Sequence, residues 1–195
     1  MGITADKVVS LHRMKARWAF SEIRSPRFAL TYQQDPKVPP LYARICSVTF
    51  ECLSPSEVDT LAQLYESIRG CCLNHYIAEV REFVIEQWSA EQLGQVYAMS
   101  ELDASGEGRY QPFATYAVSP CRTPTGWLDP RLAAEKLSWT TTFRQHDPLI
   151  VGLYRGLQVL IDGYVRGLVF TRTASPGERV AVLAPVPLVP VPHPS

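Results

Sequence analysis

The chain has 195 residues, of which 46% are hydrophobic and 19% are charged, and its formal net charge is zero. This composition predicts a soluble globular protein with a sizeable core and excludes a largely disordered chain. Because no run of about 18 apolar residues is present and the start lacks a signal peptide's apolar core, we expect no membrane span and a cytoplasmic location.

The zero net charge conceals an uneven layout along the chain. Residues 1–50 hold eight Lys/Arg against three Asp/Glu, residues 51–107 hold two against eleven, and residues 108–195 hold nine against five. Two interpretations remain open. Either the acidic segment docks onto the basic flanks within the molecule, or the flanks form a surface for nucleic acid or phosphate.

The first predicted element is a basic amphipathic helix within residues 1–28, where Leu11, Met14 and Trp18 lie near helical spacing. In one interpretation this helix is a nucleic-acid-binding arm, because Lys and Arg neutralise phosphates and a Trp ring stacks on a base. In the other, its apolar stripe packs on its own domain and its charges face solvent. The candidate nucleic-acid-binding residues are Arg13, Lys15, Arg17 and Trp18.

The next segments are read from their turn and cap residues. Prolines within 35–40 predict a stiff connector, and the β-branched and aromatic residues of 41–50 predict a strand. Ser54, Pro55 and Glu57 then have the pattern of a capping box, which predicts a helix that ends near Gly70.

A second helix is predicted from Leu73 to Trp88, and a third begins at the Ser-x-x-Gln box of residues 89–92. Helical spacing places Glu79, Glu82 and Glu86 on one face. We interpret this face as a solvated acidic stripe, since no His or Asp converges on it to bind a cation. A basic protein partner would bind the chain through these acidic helices.

Five cysteines occur at positions 46, 52, 71, 72 and 121, an odd number without a Cys-x-x-Cys pair. We expect buried reduced thiols rather than a disulfide framework or a metal site. Adjacent Cys71 and Cys72 would point about 100° apart on a helix, so they cannot easily bind one ion.

A flexible loop at 103–109, Asp-Ala-Ser-Gly-Glu-Gly-Arg, predicts a domain boundary. The sequence thus divides into a basic arm, strand and acidic helices over 1–107, a second domain over 108–184, and a Pro-rich tail over 185–195. In the second domain a strand is predicted at 113–118 and a helix at 129–137, which begins with an Asp cap and a Pro.

The stretch from Leu157 to Arg166 predicts a buried strand, an Asp-Gly turn and the first turn of a helix. Such a corner suits a negatively charged ligand. The amides of a new helix attract an anion, Gly163 lets the backbone approach it, and an arginine binds two oxygens at once. The candidate phosphate-binding residues are Asp162, Gly163, Tyr164, Arg166 and Arg172.

Four segments occur in a characteristic order around this corner: Asp-Pro-Leu-Ile-Val at 147–151, a hairpin at 154–156, Val-Leu-Ile-Asp-Gly-Tyr-Val-Arg at 159–166 followed by a helix, and Glu-Arg-Val-Ala-Val-Leu at 178–183. This order resembles the ParB/sulfiredoxin-like superfamily over roughly residues 115–190. Val165 stands where ParB proteins tend to have a second Arg, and Tyr164 and Val165 stand where sulfiredoxins carry Cys-His.

The resemblance implies an α+β fold, with a helical amino-terminal region and a small mixed-sheet ParB-like domain. It implies CTP or ATP with Mg²⁺ as ligand and a DNA-related context, because the relatives are bacterial partition and mobile-element proteins. If the chain were a nucleotide hydrolase or nuclease, Asp162 would be the catalytic residue. The alternative is a non-catalytic protein–protein interaction module that retains the ParB-like scaffold, and the loss of a polar residue at Val165 favours it.

Overall fold

The computed structural model describes residues 8–24, 29–98, 111–114 and 147–188. The chain divides into two compact units. We call Val9–His75 the helical unit, and the described residues from Tyr76 onward the sheet unit. This division falls at 75/76, whereas the sequence predicted a boundary near 107. The reason is that the strand that begins at Val80 pairs with a strand of the carboxyl-terminal half, residues 180–187.

In chain order the described helices and strands are β1 (Val8–Ser10), α1 (Leu11–Ile23), α2 (Ala29–Gln33), α3 (Val38–Ser47), α4 (Pro55–Ile68), α5 (Gly70–Leu73), β2 (Val80–Trp88), α6 (Ala90–Gly94), β3 (Tyr97–Ala98), β4 (Gln111–Pro112), β5 (Leu149–Tyr154), β6 (Leu157–Asp162), α7 (Tyr164–Thr173) and β7 (Val180–Pro187). Short 3-10 helices occupy Phe50–Cys52 and Asn74–Tyr76. None of the helices in these ranges is both long and apolar enough to cross a membrane.

Helices α1 and α4 pack on each other and form the core of the helical unit. The predicted amphipathic helix is confirmed as α1: the Ser10 side chain accepts a hydrogen bond from the Arg13 amide, and Met14 and Trp18 are buried. The predicted capping box is confirmed at α4, where Ser54 and Glu57 each accept from the other's backbone amide. Local cap chemistry therefore fixed the start of both helices.

Opposite charges of the two predicted segments meet inside the helical unit. His12 of α1 lies 2.8 Å from Asp59 of α4, and Lys15 pairs with Glu66. Arg17 pairs with Glu51 of the 3-10 helix. For these residues the intramolecular interpretation of the charge layout holds.

Two element predictions were wrong. The predicted strand at 41–50 is helix α3, because Pro39 and Pro40 fall in its first turn, where a missing amide has no intrahelical partner to lose. Val38 and Ile45, which are two turns apart, supply its buried face. The predicted helix at 73–88 is strand β2, paired with β7 from Val80 to Trp88. Long-range pairing overrode the local pattern in this second case.

The cysteine and glutamate predictions change accordingly. Cys46 and Cys52 are exposed free thiols rather than buried ones. The side chains at 71 and 72 and all of residue 121 lie outside the described part of the chain. Glu82 and Glu86 belong to β2 and Glu79 to the turn before it, so the three do not form the predicted helical face.

The strands of the sheet unit form a mixed sheet in the order β2-β7-β5-β6-β3-β4. The neighbours β2–β7, β5–β6 and β3–β4 are antiparallel, whereas β5–β7 and β3–β6 are parallel. Together with the helices this confirms the α+β class. The predicted hairpin at 154–156 is confirmed, with Tyr154 opposite Leu157.

The Pro-rich segment begins later than expected. Strand β7 continues to Pro187, and Pro185 lies opposite Phe83 of β2. The parallel pairing of β7 with β5 covers only Val182 and Leu183, so these prolines lie where no donor toward β5 is required. Residues 189–195, the loop at 103–109 and the predicted helix at 129–137 fall outside the described ranges. Of the predicted strand at 113–118 only residues 113 and 114 are described, and they are helical rather than extended.

Helix α7 packs on one face of the sheet. Phe170 of α7 and Phe113 belong to a cluster of buried residues with Leu149, Leu160 and Val182 of the strands. A Cβ added to Gly167 would lie 3.2 Å from the Phe113 ring, so this glycine allows the helix its close approach. The packing positions the corner that precedes α7.

A buried carboxylate organises the polar part of the helical unit. Glu22 of α1 accepts from the Tyr32 hydroxyl at 2.5 Å and from Arg69 at 3.0 Å and 2.8 Å. Burial, followed by the nearby Glu22 charge, raises the pKa of Tyr32 far above its ordinary value, so its hydroxyl remains a donor. The contacts join α1, α2 and the residue after α4.

We expect Tyr32→Phe to lower the free energy of unfolding by about 1–2 kcal/mol, because one buried hydrogen bond is lost. Arg69→Met should cost more, about 3 kcal/mol, since it removes the charged partner of a buried carboxylate. Urea denaturation measures both. Arg81→Met is the control, because its exposed pair with Glu82 is worth about 1 kcal/mol or less. Equal losses for the two Arg→Met variants would contradict this role.

The capping box of α4 predicts a pH dependence. The backbone amide and hydroxyl of Ser54, and then Arg44, hold the pKa of Glu57 below its ordinary 4.5. The stabilisation is therefore fully present above that value and is lost as the pH falls through the lower, folded-state pKa. We expect denaturation midpoints of Glu57→Gln to lie below wild type at neutral pH and to converge with it in acid. A constant difference across the acid range would exclude this contribution.

Candidate functional site

The predicted strand, turn and helix are confirmed at residues 157–166. Strand β6 ends at Asp162, Gly163 is the N-cap of α7, and the Gly167 amide donates to the Gly163 carbonyl at 2.8 Å. Because the N-cap is a glycine, it supplies no side-chain cap, and the first turn of α7 contains no acidic residue. The corner thus has the local features that attract an anion.

Gly163 is required here for two separate reasons. Its φ of 85° lies in the left-handed region, which other residues adopt only with strain. A Cβ at this position would also lie 2.4 Å from Leu149 Cδ2 and 3.1 Å from Arg166 Nη2. The guanidinium therefore lies directly against the turn.

Arg166 folds back under the corner and is buried, with 5% of its surface exposed. Its Nη1 donates to the backbone carbonyl of Asp147, just before β5, and its Nη2 lies 3.5 Å from Asp162 Oδ2. The structure thus brings together Asp162, Gly163 and Arg166, which the sequence associated with the site. The Asp147 carbonyl, however, accepts a hydrogen bond from the Arg166 guanidinium, which points into the protein.

The remaining candidates at this corner are placed less favourably for a ligand. The Tyr164 ring is half-buried and packs edge to face on Phe113, with 5.8 Å between the ring centroids. Asp162 is in contact with Arg166, and its side chain is 19% exposed. Arg172 lies in α7, and its side chain lies outside the described part of the chain.

The candidate nucleic-acid-binding residues of α1 make contacts within their own unit. Trp18 is 2% exposed and its ring centroid lies 5.3 Å from that of Tyr65, so the ring does not face solvent for stacking on a base. Lys15 and Arg17 are in the ion pairs described above, and Arg17 also lies 4.5 Å above the Phe50 ring. Arg13 is exposed, 5.1 Å from the same ring.

Within the described ranges, no group of three or more His, Cys, Asp or Glu residues is arranged to hold a metal ion. The Mg²⁺ that the resemblance implies would therefore need ligands from a nucleotide or from other parts of the chain. Asp162 is the one candidate ligand that the sequence placed at the turn.

Sequence reasoning missed a second anion contact in the sheet unit. The Glu79 carboxylate accepts from the backbone amides of Arg155 and Gly156, at 2.9 Å and 3.3 Å. The predicted two-residue hairpin could have indicated this contact, because the amides of its two loop residues have no partner within the hairpin. The acceptor, Glu79, was missed because residues 73–88 were predicted to be a helix.

No family model, curated protein or solved structure matches this chain. The ParB/sulfiredoxin-like resemblance accordingly rests on the order of segments around the corner, and it stays a prediction.

Gly163→Ala tests the packing of the corner. We expect a loss of about 1–2 kcal/mol from the left-handed backbone and about 1–3 kcal/mol more from the clash with Leu149 and Arg166. Gly177→Ala is the matched control, since its φ of 87° is similar and nothing lies within 4 Å of the added Cβ. Urea denaturation should separate the two variants, and equal losses would show that the corner is loosely packed.

Proposed function

We propose that the sheet unit is a non-catalytic protein–protein interaction module, a ParB/sulfiredoxin-like scaffold in which the Asp-Gly-Tyr-Val-Arg turn is structural. The observation that supports this proposal is the burial of the Arg166 guanidinium against the Asp147 carbonyl and the Asp162 carboxylate. The guanidinium that would neutralise a phosphate already contacts two acceptors within the protein.

The energies favour this role for Arg166. To reach a phosphate, the guanidinium would have to break its ion pair with Asp162 and its bond to the Asp147 carbonyl. Breaking a buried pair costs about 3–5 kcal/mol, and each new charge-assisted hydrogen bond gains about 1.5–3 kcal/mol. With Asp162 partly exposed, the lower end of the cost applies, and a single new hydrogen bond then gives no clear gain.

The residues between Gly163 and Arg166 also support a scaffold. The Tyr164 ring packs edge to face on Phe113, and Val165 stands where ParB proteins tend to have a second Arg. Both positions have lost the side chains that would contact phosphate oxygens or a sulfinic acid in the families that the chain resembles.

A second candidate function is the binding of a nucleotide or phosphate at the same corner. It is favoured by the glycine N-cap of α7, which supplies no side-chain cap, because the amino-terminal end of a helix attracts an anion. The resemblance then implies CTP or ATP with Mg²⁺, with Asp162 as metal ligand or base, and a DNA-related context.

Calorimetry on the full chain with CTP and ATP, each with Mg²⁺, separates the two functions. The scaffold proposal predicts no saturable heat and no phosphate release from either nucleotide. The variants are Arg166→Lys, which keeps the charge and loses the planar fork, and Arg155→Ala, which removes an exposed arginine of the same unit. Circular dichroism verifies that each variant is folded.

Nucleotide binding by the wild-type chain that Arg166→Lys abolishes and Arg155→Ala retains would overturn the scaffold proposal in favour of the second candidate.

A further inference from the structure

The turn between β5 and β6 presents two backbone donors away from the sheet. Arg155 and Gly156 both have left-handed backbone, with φ of 51° and 77°, and Tyr154 and Leu157 form the last registered pair of the hairpin. In a two-residue turn of this kind the amides of both loop residues point outward. They therefore require an acceptor from outside the hairpin ladder.

Glu79 supplies that acceptor from the turn before β2. One of its carboxylate oxygens accepts from the Arg155 amide and the other from the Gly156 amide. Consecutive amides that converge on one oxyanion form a concave anion-binding site of the backbone. In this structure the Glu79 carboxylate occupies the anion-binding site that the Arg155 and Gly156 amides form.

The surroundings of this turn suit a peptide better than a free ion. The Arg155 side chain is exposed, has no carboxylate partner among the described residues, and lies 5.3 Å from the centroid of the Tyr154 ring. The Leu188 amide donates to the Glu79 carbonyl at 2.8 Å, and the Leu188 side chain is 56% exposed. A cation and an aromatic ring therefore lie at the turn, and an exposed apolar residue is hydrogen-bonded to the backbone of Glu79.

The contact with Glu79 is weak enough to exchange. Glu79, Arg155 and Gly156 are all exposed, so water competes for every donor and acceptor. Because water competes at this exposed site, the two hydrogen bonds together fall at the low end of the range of net hydrogen-bond strengths, so they favour the closed contact by roughly tenfold and about one molecule in ten has both amides free.

We propose that the β5–β6 turn is a docking site for an acidic peptide, whose carboxylate displaces Glu79 from the amides of Arg155 and Gly156. Arg155 adds charge attraction, and Leu188 contacts an apolar neighbour of the acidic residue. Glu79 is then an autoinhibitory ligand that lowers the affinity for the peptide. The site lies apart from the Arg166 corner, so it does not depend on the role of that arginine.

The test is a titration of the ¹⁵N-labelled full chain with the peptide acetyl-Ile-Ala-Glu-amide, which copies the chain's own Ile77, Ala78 and Glu79. In Glu79→Ala the amide resonances of Arg155 and Gly156 should shift saturably, with a Kd about tenfold lower than in wild type. Glu79→Gln, which retains the side chain's size, should lie between them. Glu82→Ala is the control, because it removes a nearby carboxylate that pairs with Arg81 instead of the turn amides. The affinity of this variant for the peptide should equal that of wild type.

Three results would overturn the proposal. The first is no saturable shift at the turn in either folded Glu79 variant. The second is equal affinity in wild type and Glu79→Ala, which would exclude self-occupation. The third is saturation by inorganic phosphate without saturation by the peptide, which would exclude a peptide ligand. Nucleotide binding at Gly163 would shift the amides of Tyr164 and Arg166 instead, so failure here is distinguishable from failure of the proposed function.

Discussion

The corner of the sheet unit depends on a buried guanidinium that joins three successive elements, β5, β6 and α7. Arg166 contacts the residue that leads into β5 and the residue that ends β6, and it lies against the glycine that begins α7. Desolvating a guanidinium is costly, so the internal acceptors have to be present for the corner to form. The contacts that stabilise the corner also bury the positive charge of Arg166.

In both units carboxylates of the chain bind cationic side chains or backbone amides of the same unit. These groups are therefore engaged before any partner binds. In the helical unit, carboxylates of the acidic segment pair with the basic residues of α1, and Glu22 is enclosed by Tyr32 and Arg69. In the sheet unit, Asp162 pairs with Arg166 and Glu79 binds the hairpin amides. These contacts differ in burial. A buried pair is separated only at high cost, whereas water competes for the exposed contact of Glu79.

That difference distinguishes a buried from an exposed anion contact in this chain. The motif that stands out in the sequence, Asp-Gly-Tyr-Val-Arg, lies at the buried contact, and the hairpin, which has no such motif, carries the exposed one. A sequence motif identifies residue types at a given spacing. It does not specify whether their polar atoms face solvent or the interior, and binding depends on that orientation.

The sequence by itself determined the elements whose physics is local. Side-chain caps at Ser10, Ser54 and Ser89 and the left-handed turn at Gly163 each depend on residues within one helical turn, so α1, α4, α6 and the corner were predictable. Only the tertiary structure decided that residues 80–88 form a strand, because their partner β7 lies about a hundred residues away in the sequence. It also decided the burial of Arg166 and the contact of Glu79 with the hairpin. Both depend on which distant polar groups the fold brings within hydrogen-bonding distance, and no local pattern encodes that distance.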